Sequence, residues 1–387
     1  MRIFFLALLL FLASIVSKAE FVRIGLFSGT VLTSAEWLVT EGSYTLILPN
    51  GKKEELKAGV TLSITVHGTS LKVKRNDRLV GNYSQLRLVS LLDDGTLRIM
   101  LSDRREPRWF TYGGHFEASA VKGRIRMVNV VDLESYVAGV VESEIGGNSS
   151  PEFLKVQSVL CRTYCLNHLD RHAAEGFQLC DQVHCQAYKG KSRFNKMVEE
   201  SVLFTRNKIL VDKKNRLIIA AYHSNCGGQT LSADSVWSQP VGYLLPVTDS
   251  FCLNSRHAVW SVTMSLNSWK GYLEEKGMYD PHADSLMPDS LFAYYPPGRS
   301  ATFTMKGKQI PLKAIRDDWK LNSTWFNIQV NNDSLVFNGR GFGHGIGLCQ
   351  EGAMKMAEDG MTFGYIIDFY FHEVKMADAD ALKLWNK

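Results

Sequence analysis

The stretch from Val128 to His168 constrains the fold of this chain most, because it combines a strand and two helices separated by a glycine turn. Asp132 follows the β-rich run and is a typical N-cap residue for the first helix. Apolar side chains from Leu133 to Val140 then repeat at helical spacing, which predicts a buried face. The next position on that face is an acid, Glu144.

Two acids close to the end of this helix are expected to face different ways. Glu142 lies about 200° around the helix from Val140 and is predicted to point towards water. Glu144 continues the apolar face into the protein or into a cleft, where desolvation raises the pKa of a carboxyl group. Such a group keeps its proton near neutral pH and can donate it to a leaving group. The alternative interpretation is a frayed helix-end acid beside the glycines at 146–147.

Five segments of the chain form a series in a fixed order. They read DLESYVAGVVESEI at 132–145, PEFLKVQSVLCRTYCL at 151–166, CQAYKG at 185–190, AAYHSNCGGQT at 220–230 and GRGFGHGIGLCQEGA at 339–353. In order and rough spacing this series resembles the stage II sporulation protein D family (SpoIID/LytB), over about Val121 to Phe371. The resemblance implies a peptidoglycan lytic transglycosylase whose general acid/base is the second Glu of a V-x-S-E segment. That residue is Glu144, although this chain has Ile145-Gly146 where the family usually has Met-Pro.

The resemblance also implies which residues contact the glycan. The predicted contacts are Gln157, Arg162, Tyr164, His223, Ser224, Gly341, His344 and Gln350. Arg162 is expected to hold the Glu144 loop or the sugar N-acetyl and lactyl groups, or alternatively to form an ordinary structural ion pair. His344 lies in a segment with glycine at every second position, which is the strand period, and is either a substrate ligand or a hydrogen-bonding brace.

A serine hydrolase is disfavoured. His223 and Ser224 are adjacent at the end of a predicted strand, and adjacent residues on a strand point to opposite faces. They therefore do not form a nucleophile–base pair, and we interpret them as substrate contacts or loop supports.

The run Cys180-Asp-Gln-Val-His184-Cys185 is a candidate metal site. Two thiolates and an imidazole within six residues suit tetrahedral zinc. Some members of the resembled family hold zinc at this segment. The fourth ligand is predicted to be Cys226, His172 or a water, and a zinc ion held here is expected to be structural.

The cysteines leave a second interpretation open. The chain has seven, an odd number, and exported cysteines are usually oxidised. Cys185–Cys226 and Cys226–Cys252 are both conceivable disulfides. A cysteine hydrolase using Cys161 or Cys165 is the least favoured function, because helix-buried thiols lack the electropositive, exposed setting of a nucleophile.

The first nineteen residues are predicted to be a cleaved signal peptide, with an early Arg2, an apolar run and a small-residue end at Ser17-Lys18-Ala19. A signal peptide predicts export to the periplasm or cell-wall space of a bacterium, and we expect no integral membrane segment after its cleavage. Loss of Arg2 and Lys18 lowers the formal charge from +5 to +3, which is too small an excess to indicate a nucleic-acid partner.

The fold class predicted is α+β, with a β-rich N-terminal subdomain at 20–120 and a mixed helix and sheet core at 121–387 that carries an inserted lobe at about 252–335. The activity that the resemblance implies is cleavage of peptidoglycan strands, preferably without stem peptides, by one acid/base glutamate. A cell-wall amidase is the expected partner. The alternative function is a non-catalytic glycan-binding module that enhances such an amidase.

Overall fold

The computed structural model describes residues 20–91, 95–101, 108–146, 149–191, 196–237, 240–284, 287–382 and 384. The signal peptide predicted at 1–19 lies outside these residues. Within the described residues the fold is mixed α+β with a β-rich N-terminal region, as predicted. No helix in these ranges is both long enough and apolar enough to cross a bilayer.

Strands dominate the first third of the chain. They are β1 (Phe21–Leu26), β2 (Ser34–Glu41), β3 (Ser43–Ile47), β4 (Lys53–Lys57), β5 (Thr61–His67), β6 (Ser70–Arg75), β7 (Arg78–Tyr83), β8 (Gln85–Ser90), β9 (Thr96–Leu101), β10 (Trp109–Gly113), β11 (His115–Val121) and β12 (Arg124–Asp132). Most alternate between buried and less buried positions, as expected for strands with one face on a core.

Helices and short strands follow. They are α1 (Leu133–Ile145), α2 (Pro151–Asn167), a 3₁₀ helix (Ala173–Glu175), β13 (Leu179–Cys180), α3 (Lys196–Phe204), β14 (Lys208–Val211), β15 (Tyr222–His223), α4 (Asp234–Trp237), β16 (Val259–Ser265), α5 (Leu266–Glu275), a second 3₁₀ helix (Asp289–Phe292), β17 (Thr302–Met305), β18 (Lys308–Pro311), α6 (Leu312–Trp319), β19 (Trp325–Asn331), β20 (Ser334–Arg340), β21 (Leu348–Cys349), α7 (Gln350–Glu358), α8 (Phe363–Tyr370) and β22 (Lys375–Asp378).

Two sheets form the N-terminal region. One has the strand order β13-β1-β12-β11-β8-β3-β4 and the other β10-β9-β2-β5-β6-β7. The first sheet crosses the domain boundary predicted at residue 120, because β12 pairs antiparallel with both β11 and β1. The β-rich region and the beginning of the predicted catalytic region therefore share one sheet and one hydrophobic core.

Helix α2 joins two cores. Leu154 and Cys161 belong to the core of the N-terminal sheets, whereas Phe153 and Val159 belong to a second core built with α7 and α8. A helix that is apolar on opposite faces is buried between layers rather than lying on the surface. Ser150 is the N-cap of α2, since its hydroxyl oxygen accepts a hydrogen bond from the Phe153 N–H at 3.4 Å.

The inserted lobe has a core of its own. Strands β16, β20 and β19 form its sheet, and α5 and α6 pack against it through residues such as Trp269 and Ile315. The lobe extends to Arg340 at the end of β20, slightly beyond the limit of about 335 that the sequence suggested.

The alternating-glycine segment is not a regular strand beyond Arg340, so that prediction is wrong. Gly341 and Gly347 have φ angles of 77° and 70°, a region that favours glycine. A Cβ on Gly341 would lie 2.6 Å from the carbonyl oxygen of Asn225, and one on Gly347 would lie 2.3 Å from that of Ala221. The glycines therefore let this segment pack directly on the backbone around β15.

Candidate active site

A cavity of about 620 Å³ lies at the C-terminal end of α1. It is bounded by side chains from segments that are distant in sequence. Those with polar or aromatic groups include Glu144, Tyr164, Arg171, Tyr222, Trp237 and His344. Among the described residues that line it, Glu144 is the only acid.

Glu144 occupies the position that the helical pattern predicts, with Leu133 and Val140 buried along the same face. Its side chain is half-buried, and one carboxylate oxygen, Oε1, accepts the Ala187 N–H at 2.9 Å. Burial raises the pKa of Glu144 above its ordinary value, against the opposing effects of the Ala187 N–H and the Tyr222 hydroxyl. Glu144 is therefore an acid that holds its proton to higher pH than an exposed glutamate does.

The segment 185–190 positions this acid. Besides the Ala187 contact, the Lys189 N–H donates to Ser143 Oγ at 3.0 Å, beside Glu144 on α1. Gly139 allows close approach, since a Cβ there would lie 2.3 Å from the Gly190 carbonyl oxygen. The end of α1 is thus fixed by backbone groups, which cannot rotate away as side chains can.

Tyr222 lies beside Glu144 in the cavity, although the sequence did not single it out as a site residue. Its hydroxyl bonds to the Glu144 carboxyl group and accepts a hydrogen bond from Gln186 Nε2 at 3.5 Å. The alternation of side chains along the strand around His223 and Ser224 could have pointed to Tyr222. If His223 points into the interior, its neighbour Tyr222 points to the other side, where Glu144 lies.

His344 forms a brace and also lines the cavity. Its Nε2–H donates to the Tyr222 carbonyl oxygen at 2.9 Å, and its Nδ1 accepts the Ile346 N–H at 3.1 Å. Both ring nitrogens are therefore used in the neutral form, and burial lowers the pKa of His344 to about 4. The Trp237 ring lies with its centroid 6.2 Å from that of His344 and is 38% exposed, so it offers a stacking surface beside the acid.

The predicted metal ligands come together, and His172 joins them. One ligand atom from each of His172, Cys180, His184 and Cys185 lies within 4.8 Å of all the others. Cys185 Sγ is 3.4 Å from His172 Nε2 and 3.8 Å from His184 Nδ1. Zinc bonds of about 2.3 Å to sulfur and 2.0–2.1 Å to nitrogen put tetrahedral ligand atoms about 3.5 Å apart, so the four residues fit zinc.

The orientation of His172 also suits a metal ligand. Its Nδ1–H donates to Glu175 Oε1 at 2.5 Å, which leaves the lone pair on Nε2 facing Cys185. A carboxylate behind a ligating histidine is the usual arrangement at zinc sites. Cys185 also begins the segment 185–190, so this cluster and Glu144 are linked by a few residues of backbone.

Comparison with known proteins agrees with the resemblance of the five segments. The family model of the Stage II sporulation protein (SpoIID) matches residues 121–211. Stage II sporulation protein D of Bacillus subtilis is 29% identical over 66% of this chain and 77% of its own length. An uncharacterized protein of Brachyspira hyodysenteriae is 30% identical over 65% of this chain and 68% of its own length. This chain belongs to the SpoIID family.

A further similar protein carries a name of a different kind. A protein of Bacillus subtilis called Amidase enhancer is 27% identical to this SpoIID protein over 60% of the chain, which spans only 39% of that relative. Family membership is therefore consistent with a cell-wall lytic enzyme and equally with a protein that acts through an amidase.

Three polar residues predicted to contact glycan lie in the interior of this SpoIID protein instead. Arg162 has no exposed surface and is ion-paired with Glu134, with Nε 2.9 Å from Glu134 Oε1, while its Nη1 donates to the Lys208 carbonyl oxygen at 3.0 Å. The alternative of a structural ion pair is thus the one observed. Gln157 and Gln350 are also buried, and the Gln350 amide donates to Gln157 Oε1 at 3.4 Å. Both link α2 to α7 rather than facing the cavity.

His223 and Gly341 support the cavity rather than line it. His223 is 4% exposed, and its Nδ1–H donates to the Ile346 carbonyl oxygen at 3.1 Å. Gly341 is buried against Asn225. Of the eight predicted contacts, the structure brings Tyr164 and His344 to the cavity.

Ser224 does not form a catalytic triad, although His257 and Glu351 lie beside it. Ser224 Oγ is 3.4 Å from His257 Nδ1, and the same Nδ1 is hydrogen-bonded to Glu351. A triad needs the serine and the acid on different ring nitrogens, so His257 cannot relay a proton between them.

The cysteine hydrolase is likewise disfavoured. Cys161 has no exposed surface, and burial raises the pKa of its thiol to about 12.

The two disulfides that the sequence left as alternatives to zinc differ in whether their cysteines lie near each other. Cys185 and Cys226 lie in two separate clusters, whereas Cys226 and Cys252 lie together.

Proposed function

We propose that this protein is a peptidoglycan lytic transglycosylase with Glu144 as its single acid/base. The observation that carries the proposal is a half-buried acid of raised pKa that is the only carboxyl group among the described residues of the cavity. Most glycoside hydrolases need two carboxyl groups across the scissile bond. A transglycosylase needs one, because the nucleophile belongs to the substrate.

The reaction proceeds in two proton transfers at the same carboxyl group. Protonated Glu144 gives its proton to the oxygen that links N-acetylmuramic acid to N-acetylglucosamine, and the bond from that oxygen to C1 breaks. The muramic 6-hydroxyl then forms a bond to C1 and gives its proton to the Glu144 carboxylate. The products are a 1,6-anhydro-muramic end and a free N-acetylglucosamine 4-hydroxyl. The Ala187 N–H and the Tyr222 hydroxyl stabilise the carboxylate between the two steps.

The substrate we propose is glycan without stem peptides. Removal of the peptide leaves a lactyl carboxylate on each muramic acid, and Arg171 offers an exposed guanidinium group at the cavity. Its Nη1 donates to the Tyr164 hydroxyl at 2.7 Å, which orients the group. We propose that the protein acts in the periplasm or cell-wall space together with an amidase that strips the strands.

The test is the product of digestion of peptide-free glycan by the purified protein. We expect fragments that end in 1,6-anhydro-muramic acid and weigh one water less than hydrolysis products, as measured by mass spectrometry. Reducing muramic ends would instead mean that water is the nucleophile. Tight glycan binding without cleavage, together with stimulation of an amidase, would favour the enhancer function that the name of one relative suggests.

The pH dependence should report Glu144 directly. The first step needs the protonated acid, so kcat/KM should be retained below the pKa of Glu144 and fall as pH rises through it. Because burial raises that pKa, the decrease in kcat/KM should occur at a pH above the ordinary pKa range of glutamate. Tyr222→Phe removes a donor to the carboxylate and should move the fall to still higher pH.

Tyr164→Phe is the matched control for that profile, because Tyr164 lines the same cavity but bonds to Arg171 and to the His184 carbonyl oxygen. The midpoint of its pH profile should coincide with that of the wild type, whatever the change in the height of kcat/KM. If the pH profile of Tyr222→Phe has the same midpoint as that of the wild type, the Tyr222 hydroxyl does not affect the pKa of Glu144.

We also propose that His172, Cys180, His184 and Cys185 hold a structural zinc ion. Its role would be to fix the segment that donates the Ala187 N–H to Glu144. The purified protein should contain zinc at this cluster, and Cys180→Ser with Cys185→Ser should remove one equivalent, measured by elemental analysis. Chelation should lower the melting temperature. Metal-free protein with Cys180 and Cys185 oxidised would contradict the proposal.

A further inference from the structure

Three cysteines and an aspartate meet in the interior, away from the first cluster. They are Cys226, Asp249, Cys252 and Cys349, and one ligand atom from each lies within 4.8 Å of all the others. All four residues are buried. We propose that they bind a second zinc ion, with three thiolates and one carboxylate as ligands. This proposal does not depend on the proposed activity.

The distances fit a metal better than a disulfide. Cys226 Sγ is 3.4 Å from Cys252 Sγ and 3.3 Å from Asp249 Oδ2. Sulfur atoms bound to one tetrahedral zinc lie about 3.8 Å apart, since each Zn–S bond is about 2.3 Å. Sulfur atoms in a disulfide are about 2.05 Å apart. The four donors are therefore close enough to one another to share a single tetrahedral ion.

Groups around the cluster orient its ligands. Cys349 Sγ accepts two backbone hydrogen bonds, from the Cys226 N–H at 3.2 Å and the Gly352 N–H at 3.4 Å. The Tyr370 hydroxyl donates to Asp249 Oδ2 at 2.9 Å. Gly352 leaves room for this arrangement, because a Cβ there would lie 2.2 Å from Asp249 Oδ2. Donors of this kind around thiolates and carboxylates are typical of the surroundings of metal ligands.

The charge balance also favours a site of thiolates. Arg299 donates from Nη1 to the Cys226 carbonyl oxygen at 2.8 Å, and its charge interacts with Cys226, Cys252 and Cys349. Its buried Nε has no hydrogen-bond partner among the described residues. A largely desolvated cation needs a compensating charge. Four anionic ligands around a divalent ion carry a net charge of −2, which supplies it.

The second zinc would join three parts of the fold that are far apart in sequence. Cys226 follows β15, Cys252 lies at the beginning of the inserted lobe, and Cys349 ends β21 at the start of α7. Strands β15 and β21 pair in parallel, and β15 carries Tyr222, the donor to Glu144. A closed set of four protein ligands is typical of structural zinc. The ion would fix the cavity wall at β15 to the beginning of the inserted lobe near Cys252.

The test is metal analysis of the full-length protein and of two kinds of variant. The wild type should contain two equivalents of zinc, and the Cys180→Ser/Cys185→Ser variant should keep one. Cys252→Ser in that background should bring the content to zero. Cobalt supplied in place of zinc should give thiolate charge-transfer absorption in the variant that lacks the first cluster, and this absorption should vanish with Cys252→Ser.

The matched control is Cys165→Ala, a buried cysteine outside both clusters, which should not change the zinc content. If Cys252→Ser does not fold, thiol counting on the wild type decides instead. Denaturation with chelator and without reductant should make all seven thiols reactive. A peptide cross-linked through Cys226 and Cys252, or no zinc in the folded Cys180→Ser/Cys185→Ser variant, would overturn the proposal.

Discussion

Replacing Glu144 with glutamine is expected to reduce cleavage of peptide-free glycan by about 10²–10⁴-fold, the usual contribution of a general acid/base. Glutamine keeps the shape of the side chain and can still accept the Ala187 N–H. It cannot carry a proton to the leaving oxygen or take one from the muramic 6-hydroxyl. Release of 1,6-anhydro products over time measures the effect, and glycan binding should be retained.

The matched control is Glu142→Gln on the same helix. Glu142 is half-buried, in contrast to the exposure predicted for it, but it does not line the cavity. This variant should keep most of the activity and should melt within a few degrees of Glu144→Gln. Equal rates in the wild type and in Glu144→Gln would sink the proposed mechanism, whatever the products.

Loss of the Arg162 guanidinium group should give the largest change in stability. Arg162→Met leaves Glu134 buried without its partner, and breaking a buried ion pair in this way costs about 3–5 kcal/mol in free energy of unfolding. It also removes the hydrogen bonds that the guanidinium group donates to the Lys208 and Val202 carbonyl oxygens. Urea denaturation measures the loss.

Two comparisons isolate the buried charge. Arg162→Met combined with Glu134→Leu removes both charges and should recover much of the stability. Arg216→Met breaks a pair with Asp212 in which the arginine side chain is 71% exposed, and should cost only about 0–1 kcal/mol. Unchanged stability of Arg162→Met with weaker glycan binding would return Arg162 to the role that the sequence suggested.

Local features of the fold could be predicted because their causes are local. Asp132, Ser150 and Thr362 begin helices since each side chain accepts a backbone N–H three residues on. The acid Glu144 could be chosen for a similar reason, because a helical repeat specifies direction as well as spacing. The cluster Cys180–Cys185 was detectable from its spacing alone.

Features that depend on distant partners could not be predicted. Arg162 and Gln157 are polar residues on a helix expected to line a cleft, and only the position of Glu134 and Gln350 in space shows that they are interior groups. The prediction of a strand beyond Arg340 was wrong for a related reason. Glycine at every second position is compatible with a strand and also with a segment in which those glycines have positive φ angles.

The contacts that build the cavity join residues that are distant in sequence, and this has a consequence for incomplete chains. Glu144 meets Tyr222 only after the intervening helices have formed, and the Tyr222 carbonyl is held by His344, 122 positions later. Contacts of such long range form late and slowly during folding. A nascent chain that lacks His344 has no closed cavity. For an enzyme that degrades the wall of its own cell, as we propose, a chain truncated before His344 would lack the brace that completes the site.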